Sequence, residues 1–323
     1  MDFTQATAIK QLDSHTYQAE FQHSWCIGTV PHGGYVTSCF QRVVRTHFET
    51  TLRKQDQPHT LALHLDFLRR TQTGPATFVV KDVKLGRQTS IVHVTLTQEG
   101  REEVVGYITN SNLRKEEGVS FSTKWSLHPK ALPVPSFDEL EAGSDPNWGE
   151  RKRWPWSDFR KATAHLRSFF PRKGQTSNSC LDIWYTFRDT NSRFTPETLG
   201  FVCDTFPQIV ESFVLGYDPY AVELEEKYGA DEQKAMLKRS AGMWYPTLLL
   251  NLDVKKALPE EGAKWLRIRL EAKKMENGRY DLEVMAFDES DDLVAISNHV
   301  CLAVSSERNL AARRKVETGE SKL

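Results

Sequence analysis

The sequence predicts an α+β protein made of two copies of one module, each a long helix laid against an antiparallel meander. Three observations predict it. Apolar residues recur at helical spacing in one segment of each half, hairpin-linked β-like runs follow each of those segments, and three matches between the halves occur in the same order. At 323 residues the chain is long enough for two modules and a sizeable core.

In the first half, Val36, Cys39, Phe40, Val43, Val44, His47 and Phe48 mark one apolar face of a helix over Val36–Phe48. Pro31-His32-Gly33-Gly34 precedes it, where small residues allow a sharp turn into the first helical turn. Strands are predicted near Thr60–Arg69, Ala76–Leu85, Ser90–Gln98 and Glu103–Asn112. The short breaks Thr73-Gly74-Pro75, Gly86-Arg87 and Glu99-Gly100-Arg101 suit hairpins. These elements make residues 1–113 the N-terminal module. From 114 to 150 no period persists, and Pro, Ser, Glu and Gly dominate, which reads as a linker.

Residues 151–304 repeat the order. Leu181–Phe187 reads as a strand. Thr195-Pro196-Glu197 starts a helix, with Thr195 as cap and Pro196 at the first position. Leu199, Val202, Cys203, Phe206, Ile209 and Val210 continue it, and Pro207 should kink or end it. A charged, helix-prone insertion near 217–239 follows, then strands at Pro246–Val254, Lys264–Lys273, Tyr280–Asp288 and Leu293–Val304.

The two halves match in detail. Thr60-Leu61-Ala62-Leu63-His64-Leu65-Asp66-Phe67 sets against Thr247-Leu248-Leu249-Leu250-Asn251-Leu252-Asp253-Val254, with five of eight pairs identical. Gly86-Arg87 and Gly278-Arg279 each open a hairpin strand. Val104-Val105-Gly106 aligns with Leu293-Val294-Ala295, which pairs Asn110 with His299. Three matches in one order argue for duplication, and for two sheets sharing one continuous core.

Composition excludes several functions. Forty-two basic against 43 acidic residues give a net charge of −1, which argues against a nucleic-acid binder that relies on bulk attraction to phosphate. Mean hydropathy is −0.52 and no apolar run approaches the ~20 residues of a membrane span. The N-terminal stretch lacks the layout of a signal peptide. The five cysteines are scattered without a CxxC pair, so neither disulfide framework nor zinc ribbon is indicated. There is no GxSxG, HExxH, P-loop or GxGxxG, and no metal or separate cofactor is expected. The chain ends Ser321-Lys322-Leu323, on a charged tail over 305–323 that is expected to be flexible and exposed. That tripeptide is read by the peroxisomal import receptor, so delivery to the peroxisomal matrix is expected.

Three stretches carry a resemblance: Val30-Pro31-His32-Gly33-Gly34-Tyr35-Val36, the span from Ile183-Trp184 to Cys203-Asp204, and Leu293-Val294-Ala295 through His299. With them, most of residues 10–305 resembles the acyl-CoA thioesterase II family, in the thioesterase-like branch common in fungi. The resemblance implies a double hot-dog fold, in which each module is a long helix wrapped by a curved antiparallel sheet. It implies hydrolysis of a fatty or polyketide-derived acyl-CoA to free acid and CoA, coenzyme A entering only as part of the substrate. An alternative keeps the fold and acts on one specialised acyl thioester of secondary metabolism; another is an acyl-CoA-binding protein without turnover. Hot-dog modules commonly pair further, so a homodimer or tetramer is the default expectation.

The family's catalytic Asp, Thr (or Ser) and Gln positions fall on Asp204, Thr247 and His299, the last a departure from the pattern. A thiol leaves as thiolate without a strong general acid, since its pKa is roughly 8.5. What remains is to activate water and to stabilise the oxyanion. A poorly solvated carboxylate has its pKa pushed up, which would make Asp204 a better base, with Thr247 and His299 holding the water. Backbone N–H groups at the His32-Gly33-Gly34 turn suit the oxyanion if the modules face each other there.

The same residues have plainer readings. Asp204 lies about 100° around the helix from Cys203, so periodicity puts it on a solvated flank. Thr247 suits any strand, and His299 is by default a hydrogen-bonded core histidine. The first helix, Gly33 to Phe48, contains no Asp or Glu, so one active site per chain is expected. The basic run Arg151-Lys152-Arg153, with Arg160 and Lys161, is a candidate for coenzyme A phosphates or simply a solvated surface.

Overall fold

A computed structural model describes residues 1–154, 157–236 and 242–311. The terminal tripeptide and most of the tail lie outside the described residues. The first module comprises β1 (Thr16–Phe21), α1 (Gly33–Glu49), β2 (His59–Phe67), β3 (Gly74–Lys84), β4 (Ser90–Gln98) and β5 (Arg101–Ser111). The second comprises β6 (Trp148–Arg151), β7 (Leu166–Pro171), β8 (Cys180–Phe187), α2 (Leu199–Asp204), α3 (Ile209–Leu215), α4 (Val222–Lys227), α5 (Ala230–Met236), β9 (Thr247–Val254), β10 (Leu266–Glu271), β11 (Arg279–Phe287) and β12 (Leu293–Leu302).

Antiparallel pairing joins these strands into one sheet in the order β1-β3-β4-β5-β2-β9-β12-β11-β10-β8-β7-β6. Alternation along β4, where Ser90, Val92, Val94, Leu96 and Gln98 are buried, turns one face inward. Helix α1 sits inside the first half of the sheet, and α2 packs against it. A single apolar cluster runs through both modules, from Tyr17 and Phe40 to Phe201 and Leu282. This is the hot-dog arrangement twice, with the shared core that the repeat predicts.

The modules meet strand to strand at β2 and β9. Leu65 pairs with Leu250, His64 with Asn251 and Leu63 with Leu252, so the repeated octapeptides face each other about their own midpoint. The His64 ring Nδ1 lies 2.7 Å from Asn251 Oδ1 at that midpoint. Both octapeptides carry a register shift at the same place, between Thr60 and Ala62 and between Thr247 and Leu249. A bulge kept at one position in both copies is structural support for duplication.

The register corrects one sequence alignment. Phe67 pairs with Val104 and Val254 with Ala295, so β12 is displaced by two residues from the expected match. His299 therefore corresponds to Ile108, and Asn110 to Cys301. A shift of two keeps each side chain on the same face, which is why the pattern alone did not detect it.

The segment read as a linker does more than connect. Its residues Phe137 and Leu140, on a short helix over Phe137–Ala142, pack with Trp148, Phe169, Trp184 and Trp265 on the outer face of the second sheet. That cover explains why all eight residues of β8 are buried. Beneath it Asp182 accepts from Arg267 at 3.1 Å and Arg269 at 3.0 Å, so the buried charges are paired. Trp148, inside the expected linker, already belongs to a strand that pairs with β7.

Pro207 ends the second helical segment as expected: α2 stops at Asp204 and α3 begins at Ile209. Thr195 and Pro196 occupy the expected start, but Thr195 Oγ1 donates to Glu197 Oε2 at 2.9 Å and makes no side-chain cap. The insertion carries α4 and α5 and docks on the basic run. Arg151 is buried and donates to the Pro219 carbonyl at 2.7 Å, while the Lys152 and Arg153 N–H groups donate to Glu225. Arg160 is spent on Glu211 at 2.5 Å. Arg151 and the backbone of Lys152 and Arg153 thus hold the insertion in place, and Arg151 and Arg160 are committed to partners within the chain.

Candidate active site

Helices α1 and α2 cross at two glycines. A Cβ on Gly34 would stand 2.7 Å from the Gly200 carbonyl oxygen and 2.8 Å from Asp204 Cβ. One on Gly200 would stand 2.7 Å from Gln41 Oε1 and Thr37 Cγ2. Close approach of backbones is why both positions lack a side chain. The crossing brings the last residue of α2, Asp204, against the first turn of α1.

Asp204 is buried, at 8 % exposure, which corrects the solvated-flank reading. Periodicity within α2 does not see α1, whose N-terminus covers that flank. One carboxylate oxygen, Oδ1, accepts from the Thr247 hydroxyl at 3.0 Å and lies 3.4 Å from His299 Nδ1. The other, Oδ2, lies 3.8 Å from His32 Nδ1, and a Cβ on Gly33 would be 2.7 Å from it. Four candidate residues, Thr247, His299, His32 and Gly33, thus surround the carboxylate of Asp204, and the sixth, Gly34, lies against its Cβ. Negative charge beside the N-terminus of a 17-residue helix is favourable.

Each neighbour has a fixed role. His32 caps α1, its Nδ1 accepting the Gly34 N–H at 3.2 Å. Gly34 N–H is therefore occupied, and the Gly33 N–H has no partner among the described residues. Thr247 directs its proton at Asp204 Oδ1 and so holds the carboxylate. His299 is completely enclosed, with Phe206 edge-on at 5.8 Å. Its Nε2 lies 2.8 Å from Ser297 Oγ, and Ser297 gives its own proton to the Asn251 carbonyl at 2.6 Å. Ser297 must then accept from His299 Nε2–H, since a hydroxyl has one proton. Sequence reasoning missed Ser297. The signal was the period of two along β12, which puts Ser297, His299 and Cys301 on one face.

Burial pushes the Asp204 carboxyl up. The polar groups gathered around it, His299 first, then His32 and the donating Thr247 hydroxyl, outweigh that penalty and hold it below the ordinary carboxylate range. The expected direction was upward, and the missing factor was this polar surround. Burial pushes His32 down, against the pull of the Asp204 charge, so it is a neutral cap at neutral pH.

The carboxylate opens on a cavity of about 290 Å³. Asp204, Gly33, Thr247 and Cys301 are on its wall, with Phe67, Phe159 and Phe206 among the apolar lining and Arg69 and Arg70 also on it. An apolar chamber with few convergent polar groups is the usual form of a small-molecule site.

The fold and this site define a double hot-dog protein, and comparison with known proteins gives the family. Residues 21–111 match the model for the acyl-CoA thioesterase N-terminal domain, and residues 128–303 the model for the C-terminal domain. The chain belongs to the acyl-CoA thioesterase family, whose members are hydrolases of acyl thioesters. It is 37 % identical to the thioesterase-like protein TwmA of Talaromyces wortmannii, over 95 % of this chain and 93 % of that one. Among solved structures, its fold resembles that of a conserved protein of unknown function with hot-dog fold from Alicyclobacillus acidocaldarius (TM-score 0.68, 16 % identity, covering 94 % of this chain and 97 % of that one). It also resembles that of acyl-CoA thioesterase II TesB2 from Mycobacterium marinum (TM-score 0.61, 16 % identity, 94 % and 98 %).

Proposed function

We propose that this thioester hydrolase cleaves a fatty or polyketide-derived acyl-CoA to the free acid and CoA, with Asp204 as general base toward one water. The observation that carries the reading is a buried carboxylate on the cavity wall, with its Oδ1 held by Thr247. Oδ1 is tethered by the Thr247 hydroxyl and lies beside His299, which leaves Oδ2 to take a proton from water. The water oxygen attacks the thioester carbonyl carbon as its proton moves to Oδ2. The Gly33 N–H, with the α1 dipole behind it, stabilises the oxyanion. Collapse of the tetrahedral intermediate breaks the C–S bond and releases CoA thiolate, which needs no strong acid.

The apolar lining receives the acyl chain, and His299 serves as a holder of the carboxylate in place of the family's amide. The test is thiol release from acyl-CoAs of graded length by the wild type, followed by a single turnover in ¹⁸O-water. Label in the free acid and none in Asp204 supports the base role. Label in the Asp204 side chain would make it the nucleophile. No turnover of any acyl-CoA would replace hydrolysis by binding alone.

A further inference from the structure

The other end of α1 carries a second constellation that thioester hydrolysis does not use. His47 is in the last turn of α1, fourteen residues and about 21 Å along the helix from Gly33. His15 immediately precedes β1, and Asp82 lies on β3 in line with Ala76, Phe78 and Val80, on the strand face that turns inward. A register shift follows directly between Asp82 and Lys84, the kind of irregularity that re-aims a side chain. Three residues remote in sequence thus converge: the ligand-type atoms of His15, His47 and Asp82 lie within 4.8 Å of one another.

We propose that His15 Nε2, His47 Nε2 and the Asp82 carboxylate form a binding site for a divalent transition-metal ion, zinc by preference, with a fourth position open to water. The spacing fits. His47 Nε2 lies 2.9 Å from Asp82 Oδ1, and His15 Nε2 lies 3.4 Å from Asp82 Oδ2. Tetrahedral ligands at metal distances of about 2.0–2.1 Å stand roughly 3.3 Å apart. Two imidazoles and one carboxylate are a donor set of borderline softness, which zinc favours over calcium or magnesium.

The surroundings fit as well. A metal-bound Nε2 leaves the proton on Nδ1, and each ring has an acceptor waiting there. His47 Nδ1 is 2.8 Å from the Tyr17 hydroxyl, which is itself 3.2 Å from the Ser14 carbonyl that can take its proton. His15 Nδ1 is 2.8 Å from Ser14 Oγ. Outer partners of this type fix the tautomer and ring orientation of metal-binding histidines. His47 is fully buried, whereas His15 and Asp82 are partly exposed, which gives an ion a way in. An ion binds only ring nitrogens and carboxylates free of protons, so affinity falls with acidification. A bound ion ties the N-terminal segment and β3 to the last turns of the central helix.

The test uses the tag-free full chain, stripped with chelator and titrated with cobalt(II). The expected result is one equivalent bound, with the visible bands of a tetrahedral ion, displaced by zinc. His15→Ala, at a partly exposed position, and Asp82→Asn each abolish the bands, whereas Asp204→Asn retains them. Zinc raises the Tm of the wild type by a few degrees and leaves that of His15→Ala unchanged. Absence of a tetrahedral cobalt spectrum from the folded wild type overturns the proposal. So does a spectrum that survives both His15→Ala and Asp82→Asn, and these three residues would then be a hydrogen-bonded anchor without metal.

Discussion

Replacing Asp204 by Asn separates the proton-accepting role of the side chain from its packing. The amide oxygen still accepts the Thr247 hydroxyl, now 3.0 Å from Oδ1, and side-chain volume barely changes. The tight contact with Gly34 is kept, so the helix crossing survives. What disappears is the negative charge beside the α1 N-terminus and the carboxylate on the cavity wall next to Gly33. A positioned general base contributes roughly 10²–10⁴-fold. Donors hold this carboxyl low, which weakens it as a base and places the expected loss in the lower half, about 10²–10³-fold. That corresponds to about 3–4 kcal/mol of transition-state stabilisation. The assay is thiol release under saturating acyl-CoA, with Tm measured beside it. We expect kcat to carry the loss and KM to stay within about threefold. A kcat within tenfold of wild type, in a folded variant, would refute the base assignment. A raised KM with unchanged kcat would make Asp204 a binding group.

Three further outcomes follow from the same geometry. His32 has a folded pKa below its unfolded value of about 6.5. The unfolded chain therefore binds more protons beneath that pH, and wild-type stability falls with acidification there; in His32→Asn, which keeps a cap acceptor, this component is absent and urea midpoints between pH 7 and 5 should diverge less. Gly34→Ala puts a methyl 2.7 Å from the Gly200 carbonyl and should destabilise by about 1–3 kcal/mol, read as a lowered Tm; an unchanged Tm would mean that the helices do not cross so closely. Ser297→Ala strips a buried partner from both His299 and the Asn251 carbonyl, at about 1–3 kcal/mol, and should lower kcat through a loosened Asp204, with Ser297→Thr restoring both.

Much of the fold was legible because it is local. Helix α1 announces itself by an apolar stripe, and β2 to β5 by hairpin turns, so the sequence boundaries differ from the structure by only a few residues. The site was legible only through resemblance, because it is assembled from contacts between segments. Nothing in Leu199-Gly200-Phe201-Val202-Cys203-Asp204 says that Gly33 will cover Asp204. Nor does it say that His299, His32 and Thr247 will gather there and reverse the effect of burial on its carboxyl. Arg151 misled for the same reason: a basic run looks solvated until the insertion that caps it is placed. The His15, His47 and Asp82 cluster was invisible, since no spacing rule links a turn, a helix end and a bulged strand.

Duplication also explains why the chain keeps one carboxylate rather than two. Gly34 and Gly200 are the crossing points of the two helices, and the residue four positions after each faces the other helix: Asp204 in α2, Ser38 in α1. Ser38 Oγ accepts the Phe201 N–H at 3.0 Å and so serves as a clamp rather than a base. The strand positions that correspond to Thr247 and His299 are Thr60 and Ile108, which removes the histidine as well. The start of the second helical segment, which would mirror His32 and Gly33, is closed by Gln41. Its side chain donates to the Pro196 carbonyl at 3.2 Å and accepts the Gly200 N–H at 3.0 Å. Ser38 and Gln41, in place of a carboxylate and an open helix start, stabilise the crossing. The first module provides a helix N-terminus with a free N–H, and the second provides the carboxylate and its holders. The proposed site is therefore assembled where the two modules meet.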